Sequence, residues 1–207
     1  MTARTSRKTP WNKGQSVGQM RPLTPAQVRT IKHILEAEGN LRDLALFATA
    51  IDTMLRSIDL LRLKVEDATD HEGQIRDEFA IRQQKTATGT LVSLTPYTRK
   101  VLGKWIEAGR KTPWDFLFTG LRRSKTQALT TAQYRRLVKK WVGYARLDPK
   151  AYSSHSLRRT KAALIFEQTR NIEVVRELLG QSSVSATSAY LNVGKKRALE
   201  IAKKLEI

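Results

Sequence analysis

The stretch from Leu41 to Leu55 constrains the fold more than any other part of the sequence. Its apolar residues recur almost all round a helix of 3.6 residues per turn, instead of forming one stripe. They are Leu41, Leu44, Leu46, Phe47, Ala50, Ile51 and Leu55. Asn40 can cap this helix at its N-terminus. Because a helix that is apolar on every side needs other elements to cover it, we expect it inside a folded domain.

Capping signals predict further helices on both sides of this segment. Thr24 followed by Pro25 begins a helix that Gly39 ends. A short helix is expected through Ile58, Leu60 and Leu61, and later helices are expected to begin at Thr95, at Thr130 or Thr131, at Ser153 or Ser154, and at Asn171, the last ending at Gly180. A short turn through Tyr190 and a basic helix from about Gly194 onward complete the prediction.

The region between the helices predicts a β-hairpin. Partial alternation of apolar and polar residues in 74–83 and 90–95, joined by a polar stretch, places Lys85 at the turn. The expected fold is therefore α+β and mainly helical, with a small antiparallel sheet, over residues 23–207. Residues 1–22, which carry five basic and no acidic side chains up to Arg21, are expected to form a flexible basic arm; for the first ten residues a tail without a role is an equal alternative.

The charge of the chain indicates its class of partner. Lysine and arginine total 38 against 19 acidic residues, so the formal net charge is +19. Such a charge favours a polyanion partner, and each phosphate contact with a nucleic acid releases counterions. An anionic membrane surface and simple solubility are the alternatives, but no apolar run approaches the roughly 20 residues of a membrane-spanning helix. The absence of cysteine excludes a disulfide framework and a thiolate metal site.

His155 and Arg158 form the first candidate site. They stand three residues apart near a predicted helix start, so they lie on one face. The helix N-terminus adds free N–H groups that bind anions. Histidine can move a proton near neutral pH, and arginine can hold two phosphate oxygens. Taken alone, the pair is better explained as a surface histidine and a solvated arginine.

Two other segments hold candidates. Gly180 ends a helix and turns Gln181 away from its axis, and Tyr190 follows nine residues after Gln181. A tyrosine can act as a covalent nucleophile when its phenol is positioned and deprotonated. Arg56 follows the apolar helix, and Asp59 stands where a carboxylate can orient the guanidinium. The structural alternatives are a packed aromatic for the tyrosine and a surface ion pair for Arg56 and Asp59.

Taken together, these segments resemble the catalytic domain of the tyrosine recombinase (phage integrase-like) family. The matching residues, in order, are Arg56 with Asp59, Lys85 in the hairpin, His155 with Arg158, Leu179-Gly180-Gln181, and Tyr190. The resemblance covers roughly Leu23 to the C-terminus, and the block from Leu178 to Tyr190 is its most specific part. Five separated elements agree in order and approximate spacing, which makes the resemblance strong.

The sequence departs from the family pattern twice. The position of Gln181 is usually histidine and sometimes tryptophan. Glutamine can donate a hydrogen bond to a phosphate oxygen, but it carries neither a proton nor a charge. From the sequence we also expect no separate helical core-binding domain, which most relatives place before the catalytic domain. Similarly short members exist, so this difference reduces the expected DNA contact without excluding activity.

The resemblance implies a site-specific DNA recombinase or integrase. Tyr190 would attack the scissile phosphorus, leaving a 3′-phosphotyrosine and a free 5′-hydroxyl, and a hydroxyl from a partner strand would reverse the step. Arg56 and Arg158 would stabilise the developing charge, with hydrogen bonds from His155 and Gln181.

Proton transfer and assembly also follow from the resemblance. Lys85 would protonate the leaving 5′ oxygen, and His155 would take the proton of the tyrosine. The implied partner is double-stranded DNA, bound in the cytoplasm by a homo-oligomer that is typically a tetramer, without ATP, metal ion or other cofactor. The segment 194–207 has an apolar stripe that can pack on a neighbouring protomer or on its own domain.

Two alternatives to a recombinase remain. Gln181 favours a DNA-binding protein that kept the fold after losing activity, whereas the retention of the other site residues argues against it. The second alternative is a related relaxing topoisomerase, which uses a similar site as a monomer. The Leu-Gly-Gln block and the small size of the chain favour recombination.

Overall fold

The structure, a computed structural model, describes residues 20–85, 87, 89–120 and 127–191, apart from the side chains of residues 189 and 190. The described part is mainly helical with one two-stranded antiparallel sheet, as predicted. Its helices are α1 (Pro25–Ala37), α2 (Leu41–Thr53), α3 (Ser57–Arg62), α4 (Val65–Ala68), α5 (Pro96–Ala108), α6 (Thr131–Tyr144), a short 3₁₀ helix (Pro149–Ala151), α7 (Ser154–Thr169), α8 (Ile172–Leu179) and α9 (Val184–Leu191). The strands are β1 (Glu78–Arg82) and β2 (Gly89–Ser93).

Side-chain caps account for the predicted helix starts. The Thr24 hydroxyl accepts a hydrogen bond from the N–H of Gln27, whose side chain accepts one from the N–H of Thr24. This reciprocal pair satisfies two N–H groups that have no partner inside the helix. Side chains also cap α2, α5, α6, α7 and α8, from Asn40, Thr95, Thr130, Ser153 and Asn171 respectively. The sequence therefore predicts these starts correctly.

Helix α2 is the buried centre of the domain, as its pattern predicts. Every residue from Asp43 to Thr53 is buried, and α1, α5 and α7 pack around it. On its first turn, Asp43 Oδ2 accepts a hydrogen bond of 3.0 Å from Trp141 Nε1. The Trp141 ring also meets Phe47 edge-on, with 5.5 Å between centroids. These contacts attach α6 to the same core, so α2 holds both halves of the chain together.

The hairpin is present but shorter than predicted. The sequence predicts that its first strand begins at Gln74, whereas β1 begins at Glu78. The reason is a turn closed by Asp70, whose carboxylate accepts hydrogen bonds from the N–H groups of Glu72 at 3.0 Å and Gln74 at 2.8 Å. β1 and β2 pair antiparallel beyond this turn. Lys85 lies in the connection between them, as predicted.

The prediction of a short turn through Tyr190 is wrong, because the chain forms α9 there. Helices α7, α8 and α9 pack together around a second apolar cluster, whose buried members are Met54, Ala162, Val175 and Leu179. The sequence of α9 has no apolar stripe, and helices this short depend on tertiary packing. The packing against α7 and α8 therefore explains a helix that the pattern does not predict.

The two ends of the chain are described only in part. Of the predicted arm, 1–22, the structure describes residues 20–22, and the carbonyl of Met20 accepts a hydrogen bond of 2.7 Å from Arg159 Nη1. The predicted basic helix 194–207 lies outside the described residues. No helix within the described ranges is both long and apolar enough to cross a lipid bilayer.

Candidate active site

Arg56 lies where α2 gives way to α3. Met54 ends α2 with a left-handed backbone (φ 51°), which redirects the chain. Arg56 then precedes α3 as its N-cap residue, with an extended backbone (φ −65°, ψ 150°). The half-buried guanidinium donates through Nη1 to the side-chain oxygen of Gln83, directly after β1. The arginine is therefore directed at the hairpin.

Asp59 does not pair with Arg56, which corrects the expectation that its carboxylate orients the guanidinium. Asp59 is 5% exposed, and its Oδ1 accepts a hydrogen bond of 2.8 Å from the N–H of Gln84. Among the described residues no ion pair joins Asp59 to Arg56, and its Oδ2 has no hydrogen-bond partner. The guanidinium of Arg56 is bound by Gln83 and the Asp59 carboxylate by the N–H of Gln84, so the two groups face different partners in the hairpin. The carboxylate instead ties α3 to the start of the hairpin loop.

Lys85 is exposed in the hairpin loop, next to this Asp59–Gln84 contact. Two residues earlier, Gln83 is 1% exposed. Its amide nitrogen donates to Thr90 Oγ1 at 2.7 Å and to the carbonyl of Leu179 at 3.2 Å. The loop end of the hairpin is therefore joined to the last residue of α8.

His155 and Arg158 lie in the first two turns of α7, on one face as predicted. Arg158 is 3% exposed, and its Nη2 donates to the same Leu179 carbonyl at 2.9 Å. His155 is exposed at the surface. Partial desolvation nevertheless lowers the pKa of His155 below the ordinary 6.5, and the positive charges of Arg158, Arg159 and Arg56 lower it further. Such a histidine is neutral at neutral pH and can accept a proton.

Gly180 ends α8 in the left-handed conformation (φ 58°), as predicted. The next residue, Gln181, is held on two sides. Its backbone carbonyl accepts a hydrogen bond of 2.8 Å from Arg176 Nη1, and its side-chain oxygen accepts one of 2.7 Å from Thr187 Oγ1. Thr187 is fully buried and precedes Tyr190 by three residues on α9. The side chain of Tyr190 lies outside the described atoms.

The structure thus brings most of the predicted residues to one end of α2. Arg56 and Arg158 are linked through Gln83 and the Leu179 carbonyl, and the charges of both act on His155. Gln181 follows Leu179 by two residues, and Lys85 follows Gln83 by two. Asp59 contacts the hairpin backbone instead of a guanidinium.

Sequence reasoning missed two members of this network. Gln83 continues the series of inward-facing positions that Phe79 and Ile81 occupy in β1. A polar residue at such an inward position is the sequence signal that could have identified it. No sequence signal marks Thr187, because its bond to Gln181 depends on how α9 packs.

The fold and the site together define a class of protein. It is a mainly helical domain in which cationic side chains lie together at one end of the central helix. The phage integrase family matches residues 21–197 of the chain. The chain therefore belongs to the phage integrase family.

Individual relatives agree with this assignment. A tyrosine recombinase from Pseudothermotoga lettingae is 29% identical over 183 residues, which cover 88% of this chain and 60% of the relative. The tyrosine recombinase XerA of Pyrococcus horikoshii is 25% identical over 177 residues, covering 86% of this chain and 59% of that protein. The chain spans about 60% of the length of these relatives.

Solved structures show the same fold. The crystal structure of XerA recombinase matches with a TM-score of 0.72 at 21% identity, over 90% of this chain and 65% of that one. The XerH site-specific recombinase, in a pre-cleavage complex with its difH substrate, matches with a TM-score of 0.69 at 22% identity, over 90% of this chain and 55% of that one.

Proposed function

We propose that the chain is a site-specific DNA strand transferase with Tyr190 as its nucleophile. The phenolic oxygen attacks the scissile phosphorus, so a tyrosine–phosphorus bond forms and the bond to the 5′ oxygen breaks. A 5′-hydroxyl from a partner strand then attacks the 3′-phosphotyrosine and releases the tyrosine. One phosphodiester replaces another, so the exchange needs no ATP, and two arginines take the place of a metal ion in stabilising the developing charge.

The observation that carries the proposal is the convergence of Arg56 and Arg158 beside Gly180-Gln181. Two guanidinium groups can stabilise the charge that develops on the non-bridging phosphate oxygens. Both are held before substrate arrives, Arg56 by Gln83 and Arg158 by the Leu179 carbonyl. Because Arg158 is 3% exposed, the phosphate must approach the small part of its surface that solvent reaches. Charges in such a water-poor position act more strongly than exposed charges.

The proton transfers fit the surroundings of the other residues. His155 has a lowered pKa, so the neutral imidazole is available to take the proton of Tyr190. Lys85 is exposed on the hairpin, where it can reach the leaving 5′ oxygen and protonate it. Gln181 supplies a hydrogen bond to the phosphate from its amide nitrogen, while its oxygen is occupied by Thr187.

We further propose double-stranded DNA as the partner and a homo-oligomer, a tetramer on two duplexes, as the active assembly. The formal net charge of +19 suits a phosphate backbone. Related structures carry DNA: XerH is bound to difH, and a lambda integrase dimer is bound to a COC′ core site. The proposal places this chain on DNA in the cytoplasm.

Trapping of a covalent intermediate tests the proposal. Purified chain is incubated with nicked duplex fragments that tile the DNA on both sides of its gene, so that the short strand with the free 5′-hydroxyl dissociates after cleavage and cannot reverse it, and the samples are denatured with detergent. We expect protein–DNA adducts from the wild type and from Tyr144→Phe, a control whose hydroxyl binds Glu38 far from the site. Tyr190→Phe should form none. Adducts from Tyr190→Phe, or DNA binding by the wild type without any adduct, would contradict the proposal, the second result favouring a non-catalytic DNA-binding protein.

A further inference from the structure

Gln83 is a buried side chain that the proposed reaction does not use. It lies directly after β1, is 1% exposed, and has bonding partners on three different elements. Its side-chain oxygen accepts from Arg56 Nη1, and its nitrogen donates to Thr90 on β2 and to the Leu179 carbonyl at the end of α8. A buried amide is costly unless it is satisfied in this way.

The partners fix which way the amide points. A guanidinium can only donate and a backbone carbonyl can only accept, so the oxygen of Gln83 must face Arg56 and its nitrogen must face Leu179. Arg158 donates to the same carbonyl at 2.9 Å, using the second lone pair of that oxygen. One amide therefore connects the two arginines through a single intermediate atom.

We propose that Gln83 is a positioning residue for DNA strand transfer, which sets the guanidinium of Arg56 relative to Arg158. The inference rests on the proposed function, because it assigns Gln83 a role in that same reaction. Leu179 stands next to Gly180-Gln181, so the bond also fixes the hairpin against the segment that leads to the nucleophile. Displacements of about 1 Å at reacting groups can cost on the order of 10²-fold in rate.

Glutamine suits position 83 because its side chain is uncharged and long enough to reach all of its partners. A glutamate would bring a negative charge to Arg56 and compete with the phosphate for its charge. It would also set a carboxylate oxygen against the Leu179 carbonyl, where two acceptors repel. An asparagine is one methylene shorter and cannot span the same partners. The close approach of α8 also requires a glycine there, because a Cβ on Gly180 would lie 2.5 Å from the Gln83 nitrogen.

The test compares Gln83→Met with Gln84→Met. Methionine keeps the length of glutamine and removes its hydrogen bonds, and Gln84 is the exposed neighbour whose side chain binds Arg62 outside the network. Single-turnover cleavage is measured on a nicked duplex built around the cleavage point mapped with the wild type, and affinity by gel shift. We expect Gln83→Met to cleave on the order of 10²-fold more slowly. The DNA affinity of Gln83→Met should stay within about twofold of wild type, because phosphate contacts spread over many residues dominate binding. The cleavage rate and the DNA affinity of Gln84→Met should both stay within about twofold of wild type.

A double-mutant cycle separates positioning from a general loss of structure. In an Arg56→Ala background, where the slow reaction is followed over days, Gln83→Met should cause a much smaller loss of rate than in the wild-type background, because the group that it positions is absent. Losses that multiply in the double mutant would overturn the inference. If Gln83→Met does not fold, Gln83→Glu takes its place in the same cycle, and the larger part of its loss in rate should again require Arg56.

The outcomes distinguish the two proposals. A wild type that forms no adduct on any fragment overturns the proposed function, and the role of Gln83 with it. A wild type that forms adducts, beside a Gln83→Met variant that cleaves at the wild-type rate, overturns the role of Gln83 alone.

Discussion

The close contact at Gly180 allows a quantitative prediction for Gly180→Ala. An alanine would be held at φ 58°, in the left-handed region that costs an L-residue about 1 kcal/mol. Its Cβ would also meet the Thr90 hydroxyl and lie 2.5 Å from the Gln83 nitrogen, so the buried amide must move. Leaving one of its hydrogen-bonding groups unsatisfied costs about 1–3 kcal/mol more. The free energy of unfolding should therefore fall by about 2–4 kcal/mol in total.

Thermal unfolding followed by far-UV circular dichroism measures this loss, and two other glycines separate its causes. For a domain of this size the expected decrease in Tm is roughly 5–15 °C. Gly39 has φ 62° but nothing within 4 Å of a built Cβ, so Gly39→Ala should lose only about 1 kcal/mol. Gly143 lies inside α6 with equally open space, and Gly143→Ala should gain about 0.5–1 kcal/mol. A Gly180→Ala variant no less stable than Gly39→Ala would refute the reasoning, because the close approach would then contribute nothing.

Three further predictions concern the reaction. Gln181→His should cleave DNA at the same rate or faster, and a loss on the order of 10²-fold in single-turnover cleavage would show instead a specific need for glutamine. Because His155 must be neutral to accept a proton and its pKa is lowered, the acidic limb of the cleavage rate should lie below pH 6.5. Arg159→Gln, which removes one of the charges, should move that limb to higher pH, and an unmoved limb would contradict the assignment of the base. Thr187→Val should slow cleavage several-fold, which corresponds to the loss of one hydrogen bond, because it releases the Gln181 side chain. If Thr187→Val slows cleavage equally in the Gln181→His background, the effect does not act through Gln181.

The helices could be predicted from the sequence because their start signals are local. Thr24 and Thr130, for example, each stand three residues before a glutamine, and each pair closes a capping box. The burial of α2 follows equally directly from the distribution of its apolar residues. Helix α9 could not be predicted because it depends on packing, whereas the turn at Asp70 rests on local hydrogen bonds and its signal was missed.

The sequence names candidate residues one by one, but it does not show the contacts that join them. Spacing alone suggested that Asp59 orients Arg56, but Asp59 binds the N–H of Gln84, and the guanidinium of Arg56 binds Gln83 instead. The actual partner, Gln83, is 27 residues away in sequence, and its bond to Leu179 spans 96 residues. Contacts of this separation depend on how the hairpin packs against α8, which no local pattern specifies.

The identity and polarity of the covalent link test the central claim most directly. Adducts formed by the wild type are digested with protease and nuclease, and the DNA-linked peptide is sequenced by mass spectrometry. The account predicts a peptide modified on Tyr190, joined to the 3′ phosphate of the cleaved strand, with a free 5′-hydroxyl on the other fragment. A link on another residue, or attachment to the 5′ end, would contradict it.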